Sequence, residues 1–374
     1  MVLAYGNASS NSGNGIGSQS IIQMTFQQLL GIDLPIIQAP MAGAQASAMA
    51  IAVSNAGGLG SLPCAMLNVD GMRKELSLIA GQTTKLVNIN FFCHTPPVVD
   101  VAREAAWREK LSPFYAESGI DPMTIPSGPG RAAFNEEMAD VLDEFKPRIV
   151  SFHFGLPPDH LLARVRKIGA MIFSSATTVA EALWLKNKGV DAVIAQGLEA
   201  GGHRGIFLSD DLTTQVGTMS LLPQIVRAVN IPVIAAGGIA DAVGVKAALS
   251  LGAAAVQIGT AYLLCPEATI TPIHRAALKS EAARHTALTN IFTGRPARGI
   301  VNRVMQALGP IDVAAPAFPL ATSAIAPLRA KAEAQGSGDF SPLWSGQNAT
   351  GCKEIGAGEL TRELASLAPP RRQP

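Results

Sequence analysis

A histidine set among glycines at the end of an apolar run is the first place in this 374-residue chain where chemistry can be read from residue types and spacing. Asp191-Ala-Val-Ile-Ala195 reads as a buried strand and opens into Gln196-Gly-Leu-Glu-Ala-Gly201-Gly-His203-Arg-Gly205. Glycine lets a backbone turn sharply and lie against a ligand with no Cβ between them. An imidazole held on such a turn exchanges protons near neutral pH. The same composition also describes a surface turn with a solvated histidine, so the surrounding elements must decide.

Those elements alternate. Pro35–Ala39 is a first apolar strand, ended by Pro40, and a small-residue helix follows from about Ala46 to Asn55. Leu59–Ser61, Leu86–Phe92, Arg148–Phe154, Met171–Ser174, Ala192–Gln196, Ile231–Ala236 and Ala254–Ile258 supply the remaining strands. Asn68 is placed to cap a helix that runs towards Ala80 and stops at Gly81; Thr178–Lys188 and Asp241–Leu251 read as further helices. Eight strands separated by helices, with right-handed crossovers, close most simply into an α/β (β/α)8 TIM barrel. An open doubly wound sheet would carry a GxGxxG turn after its first strand, and this chain has none there. Pro96–Lys146 is longer than a strand-to-helix connection needs. It bears a helical patch at Val98–Lys110 and a Pro/Gly-rich piece at Asp121–Gly130, and is expected to form a lid. Beyond Tyr262 the pattern predicts a helix at Pro272–Arg284, a Gly/Arg segment at Thr293–Gly299 and a helix at Ala324–Ala334. A loop at Gly336–Gln347 and a helix at Glu359–Leu367 finish the chain.

Active sites of such barrels lie at the C-terminal strand ends, with phosphate commonly held after the seventh and eighth strands. Here the seventh is followed by Gly237-Gly238-Ile239, read as opening a helix whose N–H groups suit a phosphate. The eighth ends in Gln257-Ile258-Gly259-Thr260. Other strand ends offer Gln38-Ala-Pro40-Met41-Ala42-Gly43, Asn90, His153 and Gln196. Amide side chains both donate and accept, as a flavin pyrimidine edge requires, and the Pro40–Ala42 backbone places no charge against a ring. Asn90 and Gln196 suit ordinary strand-end caps equally well, and His153 suits a buried, hydrogen-bonded histidine. Arg204, on a tight loop, is expected to point away from His203 into a structural ion pair.

Hydrophobic residues make up 48% and charged residues 15%, with 36 glycines, which fits a buried parallel sheet under helices. The net charge of +1 and the lack of a basic stripe or aromatic platform argue against nucleic acid or an anionic membrane as partner. The most apolar late stretch, 313–327, is broken by three prolines and cannot span a bilayer. Cys64, Cys93, Cys265 and Cys352 form no CxxC pair, no HExxH is present, and no metal site is expected. Isolated cysteines fit a reducing cytoplasm, each as a small core hydrophobe. The Gly/Ser/Asn-rich start lacks the features of a signal peptide and reads as a disordered tail. A homo-oligomer is left open.

Gln38-Ala-Pro-Met-Ala-Gly43, Asn55-Ala-Gly-Gly-Leu-Gly60, Asn90-Phe-Phe-Cys-His94 and Gln196–Gly205 together resemble nitronate monooxygenase, formerly 2-nitropropane dioxygenase. Ala236–Ile239, Gln257–Thr260 and Trp344-Ser-Gly-Gln347 fit the same family, so the resemblance runs from about residue 25 to 350. It implies an FMN barrel at 25–264 with an insertion at 96–146, after a tail at 1–24. A mostly helical substrate domain at 265–325 and a C-terminal return at 326–374 complete the expected layout. By the family pattern Asn90, Gln196, Gly201, Gly238 and Gln257–Thr260 contact FMN, His203 is the catalytic histidine, and His153 and Gln347 lie near the substrate. The implied activity is oxidation of alkyl nitronates, such as propionate 3-nitronate, by dioxygen to a carbonyl compound and nitrite. His203 would act either as a base or as an anion-binding cation. Flavin-dependent enoyl-ACP and NADH:quinone reductases share the barrel and its glycine turns, and a phosphate-binding barrel without turnover is a third alternative.

Overall fold

Short runs of Val, Ile and Ala become strands here because both of their faces are covered, one by the barrel interior and one by helices. The computed structural model describes residues 25–125 and 131–369. The expected tail at 1–24 and the end of the Pro/Gly-rich piece, 126–130, lie outside them. In chain order the strands are β1 (Ile36–Gln38), β2 (Gly60–Pro63), β3 (Val87–Phe92), β4 (Ile149–His153), β5 (Met171–Ala176) and β6 (Ala192–Gln196). They continue as β7 (Gly202–His203), β8 (Val233–Ala236), β9 (Ala255–Ile258), β10 (Thr286–Thr289) and β11 (Ala297–Ile300). Eight pair in parallel in the order β1-β9-β8-β6-β5-β4-β3-β2. A parallel bridge between Ile37 and Leu59 joins the two ends and closes the barrel. The barrel read from the sequence is the observed fold.

The floor is plugged by a short helix, Phe26–Leu30, whose Thr25 and Gln28 form a capping box. Phe26 packs on Phe173 inside the barrel with Ile37, Ile149, Ile194 and Ile234. Towards the mouth the interior turns polar: Asn88 donates to Ser61 Oγ at 3.0 Å, and Asn90 to Ser151 Oγ at 2.9 Å. The eighth barrel helix comes from the far end of the chain, where Ala357–Leu364 packs against the helices Ser47–Asn55 and Ala242–Ser250.

Three expectations change. The 96–146 excursion is two packed helices rather than a loose lid, because each buries an apolar face. Val101–Ser118 lays Trp107, Leu111 and Tyr115 against the helix Ala321–Ala334, and Tyr115 Oη donates to the Ala324 carbonyl at 2.6 Å. Glu136–Phe145 packs beside the barrel helices Val69–Gln82 and Asp159–Lys167. The expected helix at Pro272–Arg284 ends at Leu278, with a separate 3-10 turn at Glu281–Arg284. Finally, the Thr293–Gly299 segment contributes β11, the middle strand of a small antiparallel sheet β10-β11-β7. No helix of the described residues is long and apolar enough to cross a membrane.

Trp107 is 0% exposed and central to this second core. Trp107→Ala should cost about 3–5 kcal/mol. Urea unfolding should show the loss, and an unchanged midpoint would mean that the helix does not hold its partner as described.

Candidate active site

Residues at the mouth are assembled by the turn after β6. Gln196 bridges that turn with both ends of its amide: Nε2 donates to the His203 carbonyl at 3.0 Å, and Oε1 accepts from Gly205 N–H at 2.7 Å. Arg204 is wholly buried and donates to the carbonyls of Gly197 (2.7 Å) and Gln196 (2.8 Å) and to Gln215 Oε1 (3.1 Å). It points away from the cavity, as expected, but no ion pair receives it. Burial lowers its pKa to about 10. Gly205 is required by close approach: a Cβ there would lie 2.9 Å from His153 Cε1.

His203 is not on a free loop. It sits on β7, paired antiparallel with Ala297 of β11, and is 9% exposed. Its ring is ringed by Phe318 (5.3 Å), Trp344 (5.5 Å), Phe92 and Phe154 (6.0 Å each). Its Nε2 lies 3.0 Å from Thr293 Oγ1, and that hydroxyl donates to the Arg295 carbonyl at 3.3 Å. A hydroxyl has one proton to give, so Nε2–H of His203 donates to Thr293 and Nδ1 keeps its lone pair. His153 is fixed likewise: Nε2–H donates to the His203 carbonyl at 3.1 Å, and Nδ1 accepts from Ser175. Phe154 adopts φ 71°, a left-handed conformation rare for an aromatic residue, and carries the Arg295 guanidinium 4.1 Å over its ring.

A cavity of about 310 Å³ opens over these groups. Pro40, Met41, Ala42, Asn90, His153, Gln196, Gly201, His203, Gly237, Gly238, Gln257, Ile258, Gly259 and Thr260 all line it. Gln347 does not: its side chain is exposed, while its N–H donates to the Glu199 carbonyl at 2.9 Å. That bond, with Gly346 N–H on Thr260 Oγ1 at 2.9 Å, straps the late Trp344–Asn348 segment across the mouth. The turn after β8 also differs from expectation. The helix opens only at Ala242, where the Asp241 carboxylate accepts from Gly244 N–H at 2.7 Å, so the helix end is already capped. The cradle at Gly237-Gly238 is the loop backbone itself. Gly238 has φ 73°, and a Cβ there would meet Glu199 Cβ at 3.2 Å. Gln257 Oε1 is buried without a partner among the described residues.

The cavity also gathers residues the sequence reading did not single out. Arg131, Arg329, Glu333 and His274 line it beside Trp344. Thr293, Arg295 and Phe318 stand just behind His203. No local pattern marks them, because they come from irregular or late segments brought in by tertiary packing. Among the described residues no cluster of His, Cys, Asp and Glu could hold a metal ion.

The sequence profile of a family described as nitronate monooxygenase matches residues 23–366. The chain is 43% identical to the nitronate monooxygenase of Pseudomonas aeruginosa over 91% of this chain and 97% of that protein. It is 44% identical to that of Paraburkholderia phytofirmans, over 90% and 92%. Among solved structures, nitroalkane oxidase from Streptomyces ansochromogenes is similar with a TM-score of 0.82 at 38% identity, covering 91% of this chain and 97% of that one. FabK from Thermotoga maritima is similar with a TM-score of 0.68 at 27% identity, covering 91% and 94%.

Burial, reinforced by Arg131, His153 and Arg295, holds His203 well below the ordinary imidazole value. Burial likewise lowers His153 to about 3 and His274 to about 4, from 6.5. As pH falls, the unfolded chain takes up these protons first. The stability they contribute is therefore full above about 6.5 and is lost as pH drops towards the folded values. Denaturant midpoints should fall through this window, and His274→Gln should make the fall shallower. An acid limb of equal steepness in that variant would rule out a buried neutral His274.

Proposed function

We infer a flavin-dependent oxidation of alkyl nitronates for this chain, which belongs to the nitronate monooxygenase family. It is an enzyme, and nitronate oxidation is its activity. Propionate 3-nitronate exemplifies the substrate class, with dioxygen as oxidant and a carbonyl compound and nitrite as products. The observation that carries the reading is the His203 imidazole. It is neutral and keeps a bare Nδ1, on the wall of a cavity built from glycine turns.

FMN is the cofactor we assign, and the residues present fit it. Gln257 Oε1 is a buried acceptor that a ring N–H would satisfy, and the Gly237-Gly238 turn lines the cavity with backbone alone. Gly237, Gly238, Gly259 and Thr260 would hold the phosphate, and Pro40–Ala42, Asn90 and Gln257 the ring. When bound, FMN supplies the acceptance of two electrons from substrate and the reaction with dioxygen. The protein supplies the rest. Asn90 Nδ2 is committed to Ser151, which orients its carbonyl oxygen. Gln196 holds the turn through one donor and one acceptor bond to backbone, and its second Nε2 hydrogen would remain for the flavin. His203 Nδ1 takes the α-proton of a neutral nitroalkane. The aromatic wall keeps water from competing, and burial disfavours the imidazolium that an anion-binding role would need. Four unpaired thiols fit a reducing cytoplasm.

Anaerobic mixing tests the reading directly. Nitronate should bleach the yellow protein and NADH should not; the reverse result would make it a reductase of the FabK kind. Gly238→Asp forces a side chain into a left-handed position beside Glu199 and should weaken FMN binding by about 1–3 kcal/mol. Flavin content per folded protein measures this, and full occupancy would refute the cradle. His203→Asn should lower activity on neutral nitroalkanes by roughly 10²–10⁴-fold and on preformed nitronates much less. Because His203 is packed and strand-paired, each rate must be taken per folded, flavin-loaded molecule. Equal losses on both substrates would take the histidine out of proton abstraction.

A further inference from the structure

The cavity contains a guanidinium that no described residue pairs with. Arg131 lines it, half-buried, and the Arg131 carbonyl accepts from His94 Nε2 at 3.1 Å, which pins its backbone. Its side chain makes no hydrogen bond or ion pair among the described residues. All 28 acidic residues of the chain fall between Asp33 and Glu363, and none lies in 126–130, so the remaining residues add no carboxylate side chain that could reach it. The other cations here each have at least one partner in the protein. Arg329 pairs with Glu333 at 2.8 Å, and Glu333 is the one acidic residue in the lining. Arg295 donates to the Ile206 carbonyl and stacks on Phe154, while Arg204 ends on backbone carbonyls and an amide oxygen. An unpaired guanidinium on the wall of a cavity presents five donors in a fixed fork, a geometry that an oxyanion matches.

The phosphate of a cofactor is not that anion. Phe134 N–H donates to the Phe92 carbonyl at 2.8 Å, and His94 holds Arg131, so Arg131 stands at the end of β3. In the eight-stranded barrel β3 lies four places from β8 in either direction, across the mouth from Gly237-Gly238. Arg131 is instead close enough to His203 and Arg329 for its charge to act on both. It lines the same cavity as the imidazole.

We propose that Arg131 is the anion anchor of the substrate site, binding an oxyanion of the nitronate through its planar fork. Calling that oxyanion a nitronate rests on the function proposed above. Two oxyanions share this chemistry, the nitronate oxygens themselves and the carboxylate of a substrate such as propionate 3-nitronate. Guanidinium recognises either in a bidentate way that lysine does not reproduce.

Steady-state kinetics of the holoenzyme with ethyl nitronate and with propionate 3-nitronate separate them. Arg131→Met should raise KM about 10- to 100-fold with kcat little changed, the scale of one lost charge-assisted bond. A rise for both substrates assigns Arg131 to the nitronate oxygens, and a rise for propionate 3-nitronate alone assigns it to the carboxylate. Arg131→Lys keeps the charge without the fork and should fall between, which guards against a variant that fails to fold. Calorimetric titration with inorganic nitrate, a planar oxyanion, is independent of turnover and should show binding to wild type that weakens in Arg131→Met. If wild type oxidised no nitronate yet lost nitrate binding on this substitution, the proposed function would fail and the anchor would stand. Unchanged KM for both substrates, with nitrate bound equally by wild type and variant, would overturn the proposal.

Discussion

Arg204 carries its charge into a place that water does not reach, and its donors end on uncharged oxygens of Gln196, Gly197 and Gln215. Glu181 and Glu199 act on it only from beyond ion-pair distance. A buried cation without partners is among the most expensive groups a protein can hold, so the turn after β6 must present those oxygens where the fork can reach them. That requirement fixes the shape of the turn. Gln196 then ties the same turn to the His203 carbonyl and Gly205 N–H, and His153 adds a second donor to that carbonyl. His203 is thus located by its neighbours' hydrogen bonds to its backbone, while its own ring makes a single bond among the described residues, to Thr293. Positioning and chemistry are separated along three consecutive residues.

The electrostatics of the mouth follow from what is dry. Phe92, Phe154, Phe318 and Trp344 exclude water around His203, and the low local dielectric lengthens the reach of Arg131 and Arg295. Both effects act in the same sense on the imidazole and keep it neutral. A neutral imidazole in a cationic surround suits a base that must operate on, or beside, an anion.

The chain reaches this arrangement by a long detour. Between β9 and the helix that completes the barrel, Ala357–Leu364, it builds a second core around Phe292, Ile325 and Phe340 and the small sheet that includes β7. The helix Val101–Ser118 joins that core from the β3–β4 connection, so the two cores are tied by separate crossings of the chain. Trp344 shows why the detour matters for the site: its ring packs on His203, while its backbone bridges to Gly299 of β11.

The barrel was legible in the sequence because each strand is a short apolar run bounded by turn residues, and several crossover helices carry a side-chain cap. Thr178, Asn68 and Asp241 all accept from a first-turn N–H, as their positions suggest. The strand-end residues were legible for the same reason: once the strand is known, its C-terminal end is known, and Asn90, His153, Gln196 and Gln257 line the mouth. Long-range pairing was not legible. That His203 would be strand-paired with β11, and that Gln347 would face outward with its N–H on Glu199, depend on segments far apart in sequence. Nothing local records those partners. Arg131 is the extreme case, an unremarkable residue after a Pro/Gly-rich stretch that acquires its meaning when β3, the late helices and His203 meet. Local propensity and hydrophobic period decided the elements. Which polar groups are buried together, and so which charges and tautomers the site holds, was decided by packing alone, because burial belongs to the assembled fold and not to any stretch of chain.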